Sequence, residues 1–136
     1  MSKQSLPPNP ALIPLQKLLD AMLDTEKPLN PRFLYRLSDL ERDEARRLGE
    51  IWPQVALWRR QALLEDIIEL SSNDTLLDYE AFLRQALPDE DRRVRLLGVQ
   101  ALWEYENKSL IPVFILLMEK DPAEEVRAAS ATALGQ

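Results

Sequence analysis

The sequence predicts an all-α protein: a short α-solenoid of paired helices with an N-terminal helical extension. The main observation is internal, because the stretch from Asp89 repeats itself after 32 residues. A fixed period of this kind is typical of stacked supersecondary units that bury their apolar faces only against a neighbour. Leu, Ala, Glu and Arg, which favour helix, are abundant, and glycine occurs only three times. The recurring residues are Asp89 and Asp121, Val94-Arg95 and Val126-Arg127, and Ala101-Leu102 and Ala133-Leu134.

The first 51 residues are expected to precede the stack. Residues 1–9 are rich in proline and predict a flexible leader, without the apolar core of an export signal. Residues 10–51 predict a helical cover, with a first helix over 10–24 and a short one through Phe33 and Leu37. The pattern Ser38-Asp-Leu-Glu41 predicts a capping box that starts a third helix, which ends near Gly49.

Residues 52–136 predict the repeats, as units 52–88, 89–120 and an incomplete 121–136. The predicted helices are 55–70 with 77–87, 90–105 with 109–119, and 122–134 alone. Matching Arg60 to Arg95 makes the first unit a degenerate copy, with a loop about three residues longer around Ser71 to Thr75. Asp121 followed by Pro122 predicts the start of the last helix.

The composition excludes many function classes. There is no cysteine and no histidine, which removes thiol chemistry and the commonest general base and metal ligand. The longest apolar run, 110–118, predicts a buried helix and is far short of the roughly 20 residues of a membrane span. Neighbouring carboxylates such as Glu104 and Glu106 do not face each other on a helix. We therefore expect a cytoplasmic protein without membrane contact, and no catalytic, cofactor-binding or metal-binding residues.

The repeated Val-Arg and Ala-Leu pairs resemble HEAT repeats, in particular the short variety named after phycobilisome lyases. The wider stretch from Ser38-Asp-Leu through Arg59-Arg60 and Leu102-Trp103-Glu104 to Ala133-Leu134-Gly135 is similar to uncharacterised bacterial HEAT-repeat proteins. The resemblance implies a non-enzymatic scaffold that binds another protein, with a groove lined by second helices 77–87 and 109–119. Only a few branches of the family are enzymes, so lyase or glycosylase-like activity is a remote alternative.

Recurring charges allow two interpretations. Asp89, Arg95, Asp121 and Arg127 predict a structural Arg/Asp ladder between successive units, or else a groove for a carboxylate or phosphate. An alternative function is nucleic-acid binding, with arginines aligned along one face of the solenoid. Against it, acidic residues interleave with these arginines and the net charge is −6. The arginines in question are Arg59, Arg60, Arg92, Arg93 and Arg95.

Two apolar features point to a partner. Trp103 and Leu96 lie opposite the main core stripe of their helix, so they pack between repeats or anchor a partner, while Trp52 and Trp58 are expected in the core. The final helix lacks a second helix, so either the array continues beyond this sequence or the open C-terminal end pairs with itself, and we expect self-association. The protein partner itself is unknown from the sequence.

Overall fold

The computed structural model describes residues 9–135, and all regular structure in this range is helical. This confirms the predicted all-α solenoid. The eight α-helices are α1 (Leu15–Leu23), α2 (Arg32–Arg36), α3 (Arg42–Ile51), α4 (Leu57–Asn73), α5 (Glu80–Leu83), α6 (Arg92–Leu102), α7 (Leu110–Lys120) and α8 (Glu124–Leu134). Three short 3-10 helices accompany them, at Pro10–Leu12, Trp52–Gln54 and Arg84–Ala86. The predicted leader lies outside the described residues except for Asn9, which is exposed.

The first predicted helix, 10–24, is interrupted. Ile13 is extended, with φ −72° and ψ 121°, and Pro14 then precedes α1. A proline has no amide hydrogen to donate and disfavours helical backbone in the residue before it, so a 3-10 turn and a separate α-helix form instead. Helix α1 still buries its apolar stripe, including Leu18 and Met22.

The predicted capping box at Ser38 is wrong by three residues. The box forms at Glu41, whose side chain accepts from the Glu44 amide while the Glu44 carboxylate accepts from the Glu41 amide. Ser38 cannot open the helix because Asp39 adopts a left-handed conformation, with φ 58°. The Ser38 hydroxyl accepts instead from the Asp78 amide, at 2.9 Å.

This turn joins the N-terminal helices to the stack. The Asp39 amide donates to the Asp78 carbonyl at 2.8 Å. Tyr79 is fully buried, and its hydroxyl donates to the Leu34 carbonyl at 2.7 Å. Burial raises the pKa of Tyr79 well above its ordinary value, so the hydroxyl keeps its proton. One apolar core runs from Ile13 to Val126, across both regions.

The second helix of the first pair is shorter than predicted. Instead of one helix over 77–87, α5 has four residues and continues as the 3-10 turn Arg84–Ala86. Helix α4 runs on to Asn73, three residues past its predicted end, and Asp78 then caps the amide of Glu80 at 3.0 Å. The prediction of a longer loop in the first unit is wrong, because residues 74–79 join α4 to α5 and residues 103–109 join α6 to α7. The extra residues lie in α4, whose extension leaves less chain for the second helix.

Helix α6 crosses this 3-10 turn closely. A methyl group added at Gly98 would lie 3.0 Å from the Cβ of Ala86. Helix α6 packs on α4 and on α8, and α8 also packs on α7. The described repeats are thus a stack in which α4 and α5 contact α6 of the second unit, and α6 and α7 contact α8 of the third.

Candidate functional site

An arginine occupies the fourth residue of α4, α6 and α8, and its contacts define the interior of the stack. These residues are Arg60, Arg95 and Arg127. Each donates to a backbone carbonyl at the start of its own unit: Arg60 to Val55 at 3.0 Å, Arg95 to Asp89 at 2.9 Å and Arg127 to Asp121 at 2.8 Å. The sequence repeat therefore corresponds to a repeated contact.

The first two arginines also bind the aspartate that begins the following unit. Nη1 of Arg60 lies 2.7 Å from both carboxylate oxygens of Asp89, while Nε and Nη2 of Arg95 lie 2.8 and 3.0 Å from the Asp121 carboxylate. The two pairs are 29 and 26 residues apart along the chain, because the first unit is three residues longer between its arginine and the next aspartate. Both pairs are buried, with 1% and 2% of the two aspartate side chains exposed.

Each aspartate also shapes the turn that follows it. One oxygen of Asp89 accepts from the Asp91 amide at 2.8 Å, and one of Asp121 accepts from the Ala123 amide at 2.9 Å. The helix-capping residues are thus Asp91 and Ala123, and α8 begins two residues later than predicted from Asp121. Asp89 has a further donor, the indole Nε1 of Trp52 at 2.8 Å. We call these arginine and aspartate contacts the Arg/Asp ladder.

Arg127 completes only half of this arrangement. It is partly buried and bonded to the Asp121 carbonyl, as Arg95 is bonded to the Asp89 carbonyl. In residues 9–135 no carboxylate occupies the place that Asp121 takes on Arg95. A guanidinium with free donors therefore stands at the start of α8.

The five arginines proposed for nucleic-acid binding do not form a surface. Arg59, Arg60 and Arg95 are buried, at 3%, 6% and 9% exposure. Arg92 and Arg93 are exposed but lie 3.8 and 3.6 Å from the carboxylates of Glu125 and Glu65. These five arginines therefore do not share one exposed face, because three of them hold the interior together.

Arg59 is buried because it stands where the other units have valine. Aligned through the ladder, it corresponds to Val94 and Val126, both fully buried. Its Nη2 donates to the carbonyls of Asp24 and Lys27, at 3.0 and 2.9 Å, in the turn after α1. Its Nε and Nη1 have no hydrogen-bond partner.

The expected burial of Trp58 is wrong, whereas that of Trp52 is confirmed. Trp52 is 3% exposed and meets Phe82 edge to face, with ring centroids 5.5 Å apart. Trp58 is 55% exposed, and the Arg59 guanidinium lies over its ring at 4.7 Å. The indole at the start of α4 thus covers a buried cation from outside.

Trp103 and Leu96, the candidate partner-binding residues, lie in different environments. Leu96 is half-buried against the core. Trp103 is 39% exposed and lines a groove of about 600 Å³, together with Tyr105, Ile111, Phe114 and Leu134. The groove lies between the loop after α6, the first half of α7 and the last turn of α8. Sequence reasoning found Trp103 but not this groove.

Helix α7 is less buried than its apolar sequence predicts. Leu110 and Phe114 are buried, but Ile111, Ile115 and Leu116 are exposed at 46%, 40% and 59%. The prediction of a buried helix over 110–118 is therefore wrong for one side of it. We call these three residues, with Ala133 and Leu134 at the end of α8, the end face.

Equivalent positions show what the end face lacks. In α6, Leu97, Ala101 and Leu102 are buried. Their counterparts 32 residues later in α8 are Ala129, Ala133 and Leu134, which are all only partly buried. The same helix surface is covered in the second unit and open in the third.

Among the carboxylates of the described residues, Asp66 has a raised pKa, because it is partly buried and lies near the negative charges of Glu69 and Glu65. Its side chain lies on the outside of α4. Among residues 9–135 no group of acidic side chains could hold a metal ion. None of the helices in this range has the length and apolarity that crossing a membrane requires.

Comparison with known proteins gives a family match over the repeats. Residues 80–136 match the family model of HEAT repeats. The match begins at the first residue of α5 and takes in all of the second and third units. No curated protein and no solved structure shows a significant match to the chain. The stacked helices, the repeated arginine contacts and the family match together identify residues 80–136 as HEAT repeats.

Proposed function

We propose that this protein is a non-enzymatic scaffold that binds another protein through the end face. HEAT repeats generally mediate protein interactions, which is the starting point of the proposal. The observation that carries it is the exposure of Ile111, Ile115 and Leu116 on a single helix beside the groove of Trp103. Large exposed apolar side chains on a helix that also lines the groove of a half-exposed tryptophan are typical of a docking surface. The cytoplasmic location expected from the sequence is part of this proposal.

The residue chemistry supports binding over catalysis. Without histidine or cysteine, a general acid or base would have to be a carboxylate, a lysine or a tyrosine, and the lining of the groove offers Glu104, Glu106, Lys108 and Tyr105. Glu104, Glu106 and Lys108 are exposed, and the Tyr105 hydroxyl accepts a hydrogen bond from the Tyr79 amide at 2.9 Å. The five-arginine surface that nucleic-acid binding would need has no support in the geometry.

Site-specific photo-crosslinking in cells tests the scaffold proposal. A photoreactive amino acid at Leu116 should give a discrete covalent adduct with a partner. The matched control is Leu76, which is 88% exposed but lies away from the end face. The same adducts from both positions would contradict the proposal, because they would report chance encounters.

We also propose that the isolated chain pairs with itself through the end face at high concentration. Burying the exposed apolar side chains of two copies would remove them from water. Light scattering after size exclusion, over a concentration series, should show a dimer that Leu134→Glu abolishes and Leu76→Glu leaves unchanged. A strictly monomeric protein at high concentration would refute self-association.

A further inference from the structure

A second groove, of about 450 Å³, lies between the N-terminal helices and the loop that joins α4 to α5. Its apolar wall includes Tyr35, which is 41% exposed, and Leu76, which is 88% exposed. Ligand sites are typically clefts of about 300–1,000 Å³ with apolar walls and a few polar groups. The cavity shares no lining residue with the groove of Trp103, and we call it the N-terminal groove.

The N-terminal groove is acidic. Its lining carries one positive and three negative side chains, which leaves a net charge of −2. Arg36 and Glu44 form an ion pair, so their charges balance. Asp39 and Glu41 are exposed, and within residues 9–135 no cation pairs with either carboxylate. Two uncompensated negative charges therefore line the groove.

The walls of this groove are tied to each other. The Ser38 hydroxyl accepts from the Asp78 amide at 2.9 Å, and the Asp39 amide donates to the Asp78 carbonyl at 2.8 Å. The Asp74 carboxylate accepts from the Leu76 amide at 3.0 Å. The left-handed Asp39, with φ 58°, has a strained conformation that persists only where the surrounding structure holds it. The groove therefore exists before a ligand binds, which lowers the entropy cost of binding.

Arg36 adds one free hydrogen-bond donor to the lining. It is 8% exposed, and its Nε donates to the Ile13 carbonyl at 2.7 Å while its Nη2 donates to the Glu44 carboxylate. Its Nη1 has no hydrogen-bond partner within residues 9–135. An unpaired polar group on a largely buried side chain costs free energy, which an acceptor on a ligand would recover. Because Glu44 already balances the charge of Arg36, a neutral carbonyl oxygen is sufficient.

We propose that the N-terminal groove binds a basic segment of a partner protein. An arginine of that segment pairs with Asp39 and Glu41, and its apolar neighbour packs on Leu76. A guanidinium binds a carboxylate with paired, charge-assisted hydrogen bonds, and it also stacks on aromatic rings such as that of Tyr35. A main-chain carbonyl of the segment accepts from Arg36. The net charge of −2 favours a cation over a zwitterion such as a free amino acid. This contact adds a second surface to the scaffold and does not involve the end face.

Peptide pools test the charge of the ligand. The probe is a pool of acetylated and amidated octapeptides with one fixed arginine and random neutral residues elsewhere. The matched pool has citrulline, which keeps the shape of arginine but is uncharged. We expect the immobilised full chain to retain the arginine pool about tenfold more strongly than the citrulline pool, quantified by mass spectrometry. Equal retention of the two pools would overturn the proposal.

Protein variants assign the preference to the groove. Asp39→Asn combined with Glu41→Gln should remove it. Both substitutions suit the fold, because asparagine tolerates the left-handed conformation and the glutamine side chain still accepts from the Glu44 amide. Glu26→Gln combined with Glu69→Gln removes the same net charge from exposed positions outside the groove and should keep the preference. A preference that survives the groove variant contradicts the proposal, because it would reflect only the net charge of −6.

Two single variants test the occupant. Leu76→Ser should lower retention of the arginine pool by a factor on the order of several-fold, because it removes the exposed apolar wall, and unchanged retention would contradict the apolar contact. Asn9 lines the groove, so residues 1–8 of the same chain, which include Lys3, are a competing occupant. Unchanged retention by Lys3→Gln supports the partner, whereas stronger retention would assign the groove to this segment and overturn the proposal.

Discussion

Removing the carboxylate of Asp121 tests whether the Arg/Asp ladder holds the stack together. In the Asp121→Ala variant, Arg95 loses two hydrogen bonds of 2.8 and 3.0 Å while its side chain stays 11% exposed. Net hydrogen bonds to charged groups contribute about 1.5–3 kcal/mol each, which gives about 3–6 kcal/mol. Breaking a buried ion pair by removing one partner typically costs about 3–5 kcal/mol, so the two routes agree.

The assay is equilibrium unfolding in urea followed by circular dichroism. If Asp121→Ala does not fold, Asp121→Asn should, because the amide still accepts from Ala123 and from one arginine nitrogen, at a cost of about 1–3 kcal/mol. The double variant with Arg95→Met should lose clearly less than the sum of the single variants, because no charge is left unpaired. Additive losses within about 0.5 kcal/mol would refute the reasoning. Arg46→Ala is the control, since its ion pairs are exposed and should matter little.

Two further results follow from local geometry. Gly49→Ala should raise the free energy of unfolding by about 0.5–1 kcal/mol through helix propensity, because its methyl group meets only a movable glutamine side chain. Gly98→Ala should lower it, because the new methyl group would lie 3.0 Å from buried Ala86; thermal unfolding of both variants compares the signs. The hydrogen bond from Arg36 keeps the pKa of Glu44 below its ordinary value, so this pair stabilises the fold at neutral pH and loses that effect as the pH falls through the lowered pKa. Urea unfolding at pH 7 and pH 3 should show a larger loss for the wild type than for Glu44→Gln, and equal losses would contradict this.

The repeat could be predicted because the residues that recur in the sequence are the same residues that make the contacts between units. Asp89 and Asp121 recur with Arg95 and Arg127 at one spacing, and a shared spacing on stacked units implies a shared neighbour. The break at Pro14 could have been predicted, because proline disfavours helical backbone in the residue before it. The continuous apolar pattern of residues 10–24 instead predicted a single helix. The left-handed Asp39 had no such signal, because a hydrogen bond to a residue 39 positions later holds it.

The candidate site was only partly predictable. The apolar run of α7 indicates a helix but not which of its sides is covered, since that depends on a neighbouring unit and not on the helix itself. From the sequence alone, Arg59 is predicted to be a surface cation beside Arg60. Its burial is explained only by its alignment with Val94. The signal that could have found it was the three-residue offset of the first unit, which places Arg59 in a core position.

The spacing of the ladder also bears on how the chain is made. Arg60 and Arg95 meet their aspartates 29 and 26 residues further along the chain, at the first residue of the following unit. A chain emerging from the ribosome folds N-terminal regions first, so the guanidinium of Arg60 has no counter-charge until Asp89 has been synthesised. The buried ion pair of each of these two units is therefore completed only when the following unit begins to be synthesised. A recombinant fragment designed on the repeat boundaries, ending at residue 88 or 120, would omit the one carboxylate that its last arginine requires.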